Sequence, residues 1–459
     1  MPPVKVIIIG GGLSGNVLAN GLMQSNIEVQ VYERMSQHTR REGYQIRLGE
    51  NALIGMRACL PQEVLSRVIS KMGRHGGKRD LAPVIYSTGF EKLCDLSKLP
   101  AYPKSAPINR GVLRDVLAEP VERAGRMVYE KQFERYEIVK EDHGERVRVV
   151  FGDGTSEICD ILIGADGSHS RVNATLGLKN LRAMDDKISF IVKSDLKTAQ
   201  LLTMSHEILQ TSLATMDDEM VLFWATYLPD KVDTSNAEAI RQYQKDIPVD
   251  DEMSSCMLVM TFLSKVVPEG IASASSEEKW EFMRKKIANW SPYYTEAMNA
   301  VKGEDIYCFT PRESSEPALN WRDQVANPEI PERGHPRVWL LGHAIHAMLP
   351  GRGMGGNQAI LDTSVMLPLL KQLAEESTSY LPESRIRKAC NDCERQVIPR
   401  VFPWVRKSSQ LSHPFDSGKL TTRLMFRAIN LGVLLLRAAY AVVGVFVDIQ
   451  PAVPPELKN

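Results

Sequence analysis

The sequence predicts an α/β fold: a Rossmann-type nucleotide-binding domain, a β-sheet-containing second domain and C-terminal helices. Three observations carry that expectation. The first forty residues read strand, glycine turn, helix, strand, the order of a βαβ unit. A second apolar strand runs into Gly164-Ala165-Asp166-Gly167, and a third into the glycine-rich Gly351 to Gly356 ahead of a helical pattern.

In the first unit Val4 to Ile9 is a continuous apolar run, as a strand buried on both faces should be. Gly10, Gly12 and Gly15 form G-x-G-x-x-G with Leu13 and Ser14 between the last two, followed by a helix over Asn16 to Gln24 and a strand over Glu28 to Tyr32. Each glycine has its own task. Gly10 permits the tight turn, Gly12 lets backbone approach a pyrophosphate, and Gly15 lets the helix sit close on the strand. Glu33, with Arg34 beside it, falls where an acidic residue accepts hydrogen bonds from a ribose diol. FAD and NAD share that ribose, so this unit does not choose between them.

Further along, Arg110 precedes Leu113 and Leu117 at helical spacing, which places an arginine at a helix start. Strands are expected at Phe133 to Lys140, Arg146 to Phe151 and Cys159 to Ile163, the last feeding Asp166-Gly167. The strand Val338 to Leu341 leads to Gly342-His343-Ala344-Ile345-His346 and then to Gly351, Gly353, Gly355, Gly356 and Asn357. Amides in such a turn converge on an anion at a helix start.

These stretches, in this order, resemble the single-component, class A FAD-dependent monooxygenases, including aromatic hydroxylases and secondary-metabolism enzymes. The resemblance covers about residues 1 to 370. It implies FAD as cofactor and NAD(P)H as co-substrate, with O2 supplying one oxygen atom to a hydrophobic small molecule by hydroxylation, epoxidation or Baeyer-Villiger-type insertion. By position it implies that Glu33 binds the adenosine ribose, Arg110 contacts the flavin side, Asp166 and Gly167 approach the cofactor, and Gly353 to Asn357 approach the isoalloxazine. Gln45 and Arg47 fall where such enzymes pass a strand beside the flavin, and Arg47 is a catalytic candidate. The departure is His343, where the family carries the aspartate that binds the ribityl hydroxyls. A histidine offers one hydrogen bond and titrates near neutrality, so weaker or pH-sensitive FAD binding is expected. It also motivates a rival reading, a non-redox cyclisation or isomerisation on the same fold.

The domains expected are FAD-binding parts at residues 1–180 and 311–375, a substrate domain at 181–310, and a C-terminal helical region at 376–459. With 56 basic and 56 acidic residues there is no global field to recruit nucleic acid. Seven scattered cysteines fit a reducing, cytoplasmic setting, and Cys390-Asn391-Asp392-Cys393 reads as structural. His343 and His346 form H-x-x-H without a third ligand, so no metal is expected. Ala428 to Val447 is long enough to span a bilayer but holds Arg437 near its middle, which favours a buried or interfacial helix with peripheral membrane contact.

Overall fold

The computed structural model describes residues 4–37, 39, 45–73, 83–95, 98, 105–141, 144–209, 212–228, 253–375, 381–410, 419–443, 454 and 457. At its centre is a five-stranded parallel sheet. The strands run Val338–Leu340, Ile161–Gly164, Lys5–Ile9, Glu28–Tyr32 and Met127–Val128 in spatial order. Val6, Ile7 and Ile8 are fully buried, so the strand Lys5–Ile9 is covered on both faces. Each such side chain contributes about 1.5 to 3 kcal/mol of burial. The cover comes partly from helices Leu13–Gln24, Glu50–Cys59, Arg110–Arg123 and Gly355–Glu375, which share one hydrophobic core with the sheet.

The run expected as one strand over Cys159 to Ile163 is two. Ser156–Cys159 pairs antiparallel in a separate three-stranded sheet with Gly144–Phe151 and Phe133–Glu141, whereas Ile161–Gly164 joins the parallel sheet. Asp160 makes the break. Its amide donates to the Lys5 carbonyl at 2.9 Å, and its carboxylate accepts the Lys5 amide at 2.8 Å. The chain is thereby pinned at the sheet's entry edge.

A second, seven-stranded sheet has the order Tyr307–Phe309, Lys187–Lys197, Met253–Leu263, Met220–Tyr227, Leu213–Met216, Val84–Tyr86 and Lys92–Asp95. Its last two strands come from inside the span assigned to the first FAD-binding part. One face carries Phe190, Leu222, Trp224, Leu258 and Phe262 in a core with helices Ser276–Lys286 and Pro292–Ala300. The other face turns toward the first domain: the Tyr227 ring lies against Gly73, where a Cβ would come within 2.3 Å of it. Its hydroxyl donates to the Lys71 carbonyl at 3.1 Å. Trp224 is therefore core, while Phe223 and Tyr227 occupy the opposite face.

Helix Glu383–Gln410 returns to the first domain through a buried ion pair. Arg322 Nη2 lies 2.8 Å from Glu394 Oε1, and the same guanidinium donates to the carbonyls of His335 and Val338 at 2.9 Å each. Cys390 and Cys393, on this helix, are free and buried, and burial raises both thiols, Cys390 to about 12. They are packing residues. The last described helix, Leu420–Val443, carries most of the tail stretch, of which residues 444–447 lie outside the described residues. It is not buried, contrary to one of the two expectations, because only its Phe426 side enters a core.

Candidate active site

The three glycine motifs meet at the ends of adjacent parallel strands. Gly10, at φ +112°, lies so close to the strand beside it that a Cβ would come within 2.4 Å of the Ala165 carbonyl oxygen. A Cβ at Gly15 would come within 2.2 Å of the Gly10 oxygen, which fixes the close approach of helix to turn. Leu13 is buried at the helix start, and Ser14 Oγ would stand 3.1 Å from a Cβ at Gly342. The first fingerprint and the Gly342-His343 turn are thus in contact.

Glu33 is held at the end of its strand by two backbone donors. Gly11 N donates to one carboxylate oxygen and Met35 N to the other, both at 2.9 Å. Such a carboxylate is fixed in place and keeps lone pairs for a diol. Arg34, next to it, is exposed. Asp166 receives the amides of Arg171 and Val172 on Oδ2, at 2.8 and 3.2 Å, while its buried Oδ1 has no partner among the described residues. Burial raises its pKa. The neighbouring Gly167 takes φ +79°.

Arg110 opens helix Arg110–Arg123 behind the Asn109 cap, whose side chain accepts from Gly111 N at 2.9 Å. Its charge reaches His343. Gln45 and Arg47 stand on strand Gln45–Gly49, paired antiparallel with Ser105–Asn109. The Gln45 amide donates to the Thr226 carbonyl at 3.2 Å and so ties this strand to the second sheet. Arg47 Nε donates to Ser105 Oγ at 2.9 Å, so part of its guanidinium is engaged in holding the strand pair.

The third motif is clamped by Asn357. Its Nδ2 donates to the carbonyls of Arg47 and Gly353, at 2.7 and 2.8 Å, and its Oδ1 accepts Gly49 N at 2.8 Å. Helix Gly355–Glu375 begins two residues before Asn357. Gly353 sits at φ +63°, and Gly355 leaves room for the His343 ring, whose Cε1 would be 2.7 Å from a Cβ there.

His343 is not the titrating group a free imidazole suggests. Burial first, then the nearby His346 and Arg110 charges, push its pKa down to about 3, so the ring is neutral through the physiological range. Its Nδ1 is buried and has no partner among the described residues.

Sequence reasoning missed Asp362 and Arg400. Asp362 Oδ2 lies 2.7 Å from His346 Nε2 and accepts Gly342 N at 3.1 Å, while Oδ1 pairs with Arg400. Burial alone would raise this carboxyl, but His346 and Arg400 outweigh it and hold it below the usual range. An ionised Asp362 requires His346 to carry its proton on Nε2. A lone acid in the apolar helical stretch Ala359 to Leu367 was the available signal. Among the described residues no cluster of His, Cys, Asp or Glu could hold a metal ion.

The cradle fits FAD. Cβ positions built on Gly12, Gly167 and Gly353 meet no atom within 4 Å, so backbone is bare where a cofactor would approach. The orphaned Asp166 Oδ1 and His343 Nδ1 are buried polar atoms suited to hydroxyl groups, the histidine nitrogen donating or accepting according to its tautomer.

A parallel sheet with glycine turns at its strand ends, joined to a large mixed sheet, is an architecture suited to a flavin dinucleotide. The chain belongs to the FAD binding domain family, which it matches over residues 3–249. It is 25% identical over 433 residues to the FAD-dependent monooxygenase thnD of Trichoderma harzianum, covering 90% of this chain and 93% of that one. It is 26% identical to penE of Penicillium thymicola, another FAD-dependent monooxygenase, over 97% of this chain and 84% of that one. The structure of Klebsiella pneumoniae HpxO complexed with FAD and uric acid superposes with a TM-score of 0.64 at 20% identity, covering 95% and 93% of the two chains.

Proposed function

We propose that this FAD-dependent monooxygenase consumes NAD(P)H and O2 and inserts one oxygen atom into a hydrophobic, secondary-metabolite-like substrate. One observation carries the substrate class. On the face turned toward the first domain, Tyr307, Ile191, Val259, Phe223, Ala214, Ile85 and Cys94 stand in register, one from each strand of the seven-stranded sheet. This unbroken apolar row suits a ligand that is itself mostly apolar. It excludes water from the same space.

FAD, when bound, supplies the redox chemistry and the reaction with O2. The protein's part is binding, orientation and charge. Glu33 would hold the adenosine ribose, and Gly12 and Gly15 would admit the pyrophosphate to the start of helix Leu13–Gln24. Leu13 and Ser14 would present their backbone there, with Arg34 beside the adenosine. Asp166 Oδ1 would accept a hydroxyl of the cofactor and His343 Nδ1 would hydrogen-bond another, with Gly167 permitting approach. Gly353, Gly355, Gly356 and Asn357 would form the loop at the flavin ring, Asn357 locking it to the strand of Gln45 and Arg47. Arg110 would add positive charge on that side.

Anaerobic titration with NADH and with NADPH, following the flavin absorbance, tests the redox reading. Bleaching by either nucleotide, followed by incorporation of one atom of labelled O2 into an apolar product, is the expected result. Substrate turnover without nucleotide or O2 would replace it with the non-redox reading.

A further inference from the structure

Helix Leu420–Val443 presents an apolar ridge that the rest of the described chain does not cover. Leu420, Leu424, Leu431, Leu435 and Val442 fall on one side at helical spacing. Leu420, Leu435 and Val442 are 70%, 63% and 64% exposed. The opposite side is docked. Phe426 packs with Leu93, Cys94 and Ile85, Asn430 Nδ2 donates to the Leu93 carbonyl at 2.7 Å, and Arg423 pairs with Glu91 at 3.5 Å.

Charge selects what covers the ridge. The helix has three arginines, Arg423, Arg427 and Arg437, and no acidic residue. A second protein core would leave the Arg427 and Arg437 heads to be matched by acids, whereas an anionic bilayer surface accepts both the leucines and the arginines. The docked first half also sets the depth. Arg437 lies within the stretch that follows Asn430, which suits the headgroup layer better than a crossing.

The position of the helix adds a consequence. Ile85 and Cys94, which touch Phe426, are the last two members of the apolar row across the substrate sheet. We propose that Leu420–Val443 docks on an anionic phospholipid surface and sets the Cys94 end of that row at the membrane, where a lipid-dissolved substrate would enter. The entry step rests on the hydrophobic-substrate reading above; the docking does not.

Flotation of the FAD-loaded full chain with vesicles of neutral phosphatidylcholine, or of phosphatidylcholine mixed with phosphatidylglycerol, tests the docking without any turnover. The chain should float with the mixed vesicles and much less with the neutral ones. Leu424→Glu/Leu431→Glu/Leu435→Glu should lower the floated fraction about tenfold or more, while its flavin spectrum shows that the fold is kept. An environment-sensitive dye on Leu431→Cys should shift to the blue on vesicle addition, and one on Glu281→Cys, on a helix covering the other face of the sheet, should not. Absence of flotation, equal flotation of the triple variant, or a blue shift at position 281 alone overturns the proposal. So does a lipid-free dimer that the triple variant dissociates, since the ridge would then meet a second copy.

Discussion

At the scale of single residues, His343 carries the most consequence. The sequence marks it as a departure, but its protonation depends on burial and on Arg110 and His346, which only the fold brings together. With a folded pKa near 3 against about 6.5 unfolded, the unfolded chain binds the extra proton between those values. Stability is therefore undiminished by this group above pH 6.5 and falls as pH drops from there toward 3. The loss is at most about 1.4 kcal/mol per pH unit. His343→Gln should flatten the stability profile in that window, as read from melting temperature against pH. Asp362, held below the usual carboxylate range, acts only at lower pH and does not offset this. FAD affinity should correspondingly be flat from pH 6.5 to 9 in the native chain. His343→Leu, which removes the hydrogen-bonding nitrogen, should weaken FAD by about 5- to 15-fold, and His343→Asp should tighten it, both by equilibrium titration. A tighter His343→Leu variant would show that Nδ1 faces no cofactor hydroxyl.

At the scale of elements, local pattern and long-range pairing contribute differently. The βαβ unit was legible because its glycines and apolar run lie within some thirty residues, so spacing and contact coincide. Val84–Tyr86 and Lys92–Asp95 were not assigned to the far sheet, since Val84 finds Leu213 across more than a hundred residues and short apolar runs do not name distant partners. Asp362 was missed for the same reason. Its partners His346 and Arg400 belong to two other helices. Close element packing also predicts specific failures. A Cβ on Gly55 would come within 2.1 Å of the Ile360 carbonyl, so helices Glu50–Cys59 and Gly355–Glu375 cross with no room for a methyl group. Gly55→Ala should destabilise by about 2 kcal/mol or more, and lower FAD occupancy, because the second helix carries the loop proposed to meet the cofactor. Asn357→Ala should cost about 1 to 3 kcal/mol, visible as a lower midpoint in urea, since Gly49 N loses its acceptor.

At the scale of the whole molecule, one sheet serves two environments. Its strand Met220–Tyr227 sends Trp224 into the core with the covering helices, where Nε1 donates to the Ile208 carbonyl at 3.0 Å. The adjacent Phe223 enters the apolar row on the face turned to the first domain. Alternation along a strand thus puts neighbours on opposite faces, one in the core and one on the face proposed to bind substrate. Removing Trp224 leaves a core cavity and an unpaired carbonyl, so Trp224→Ala should lose about 3 to 5 kcal/mol of stability. On the reading proposed above, removing Phe223 takes apolar area from the substrate space rather than from the core. Phe223→Ala should therefore raise KM for an apolar substrate by about tenfold or more, with near-native melting temperature and FAD content. Labelled-oxygen incorporation gives kcat and KM, and calorimetry gives stability. If Phe223→Ala instead unfolded the protein while KM in the folded fraction stayed the same, the row would be a packing surface between domains, and the apolar substrate space would have to be sought elsewhere.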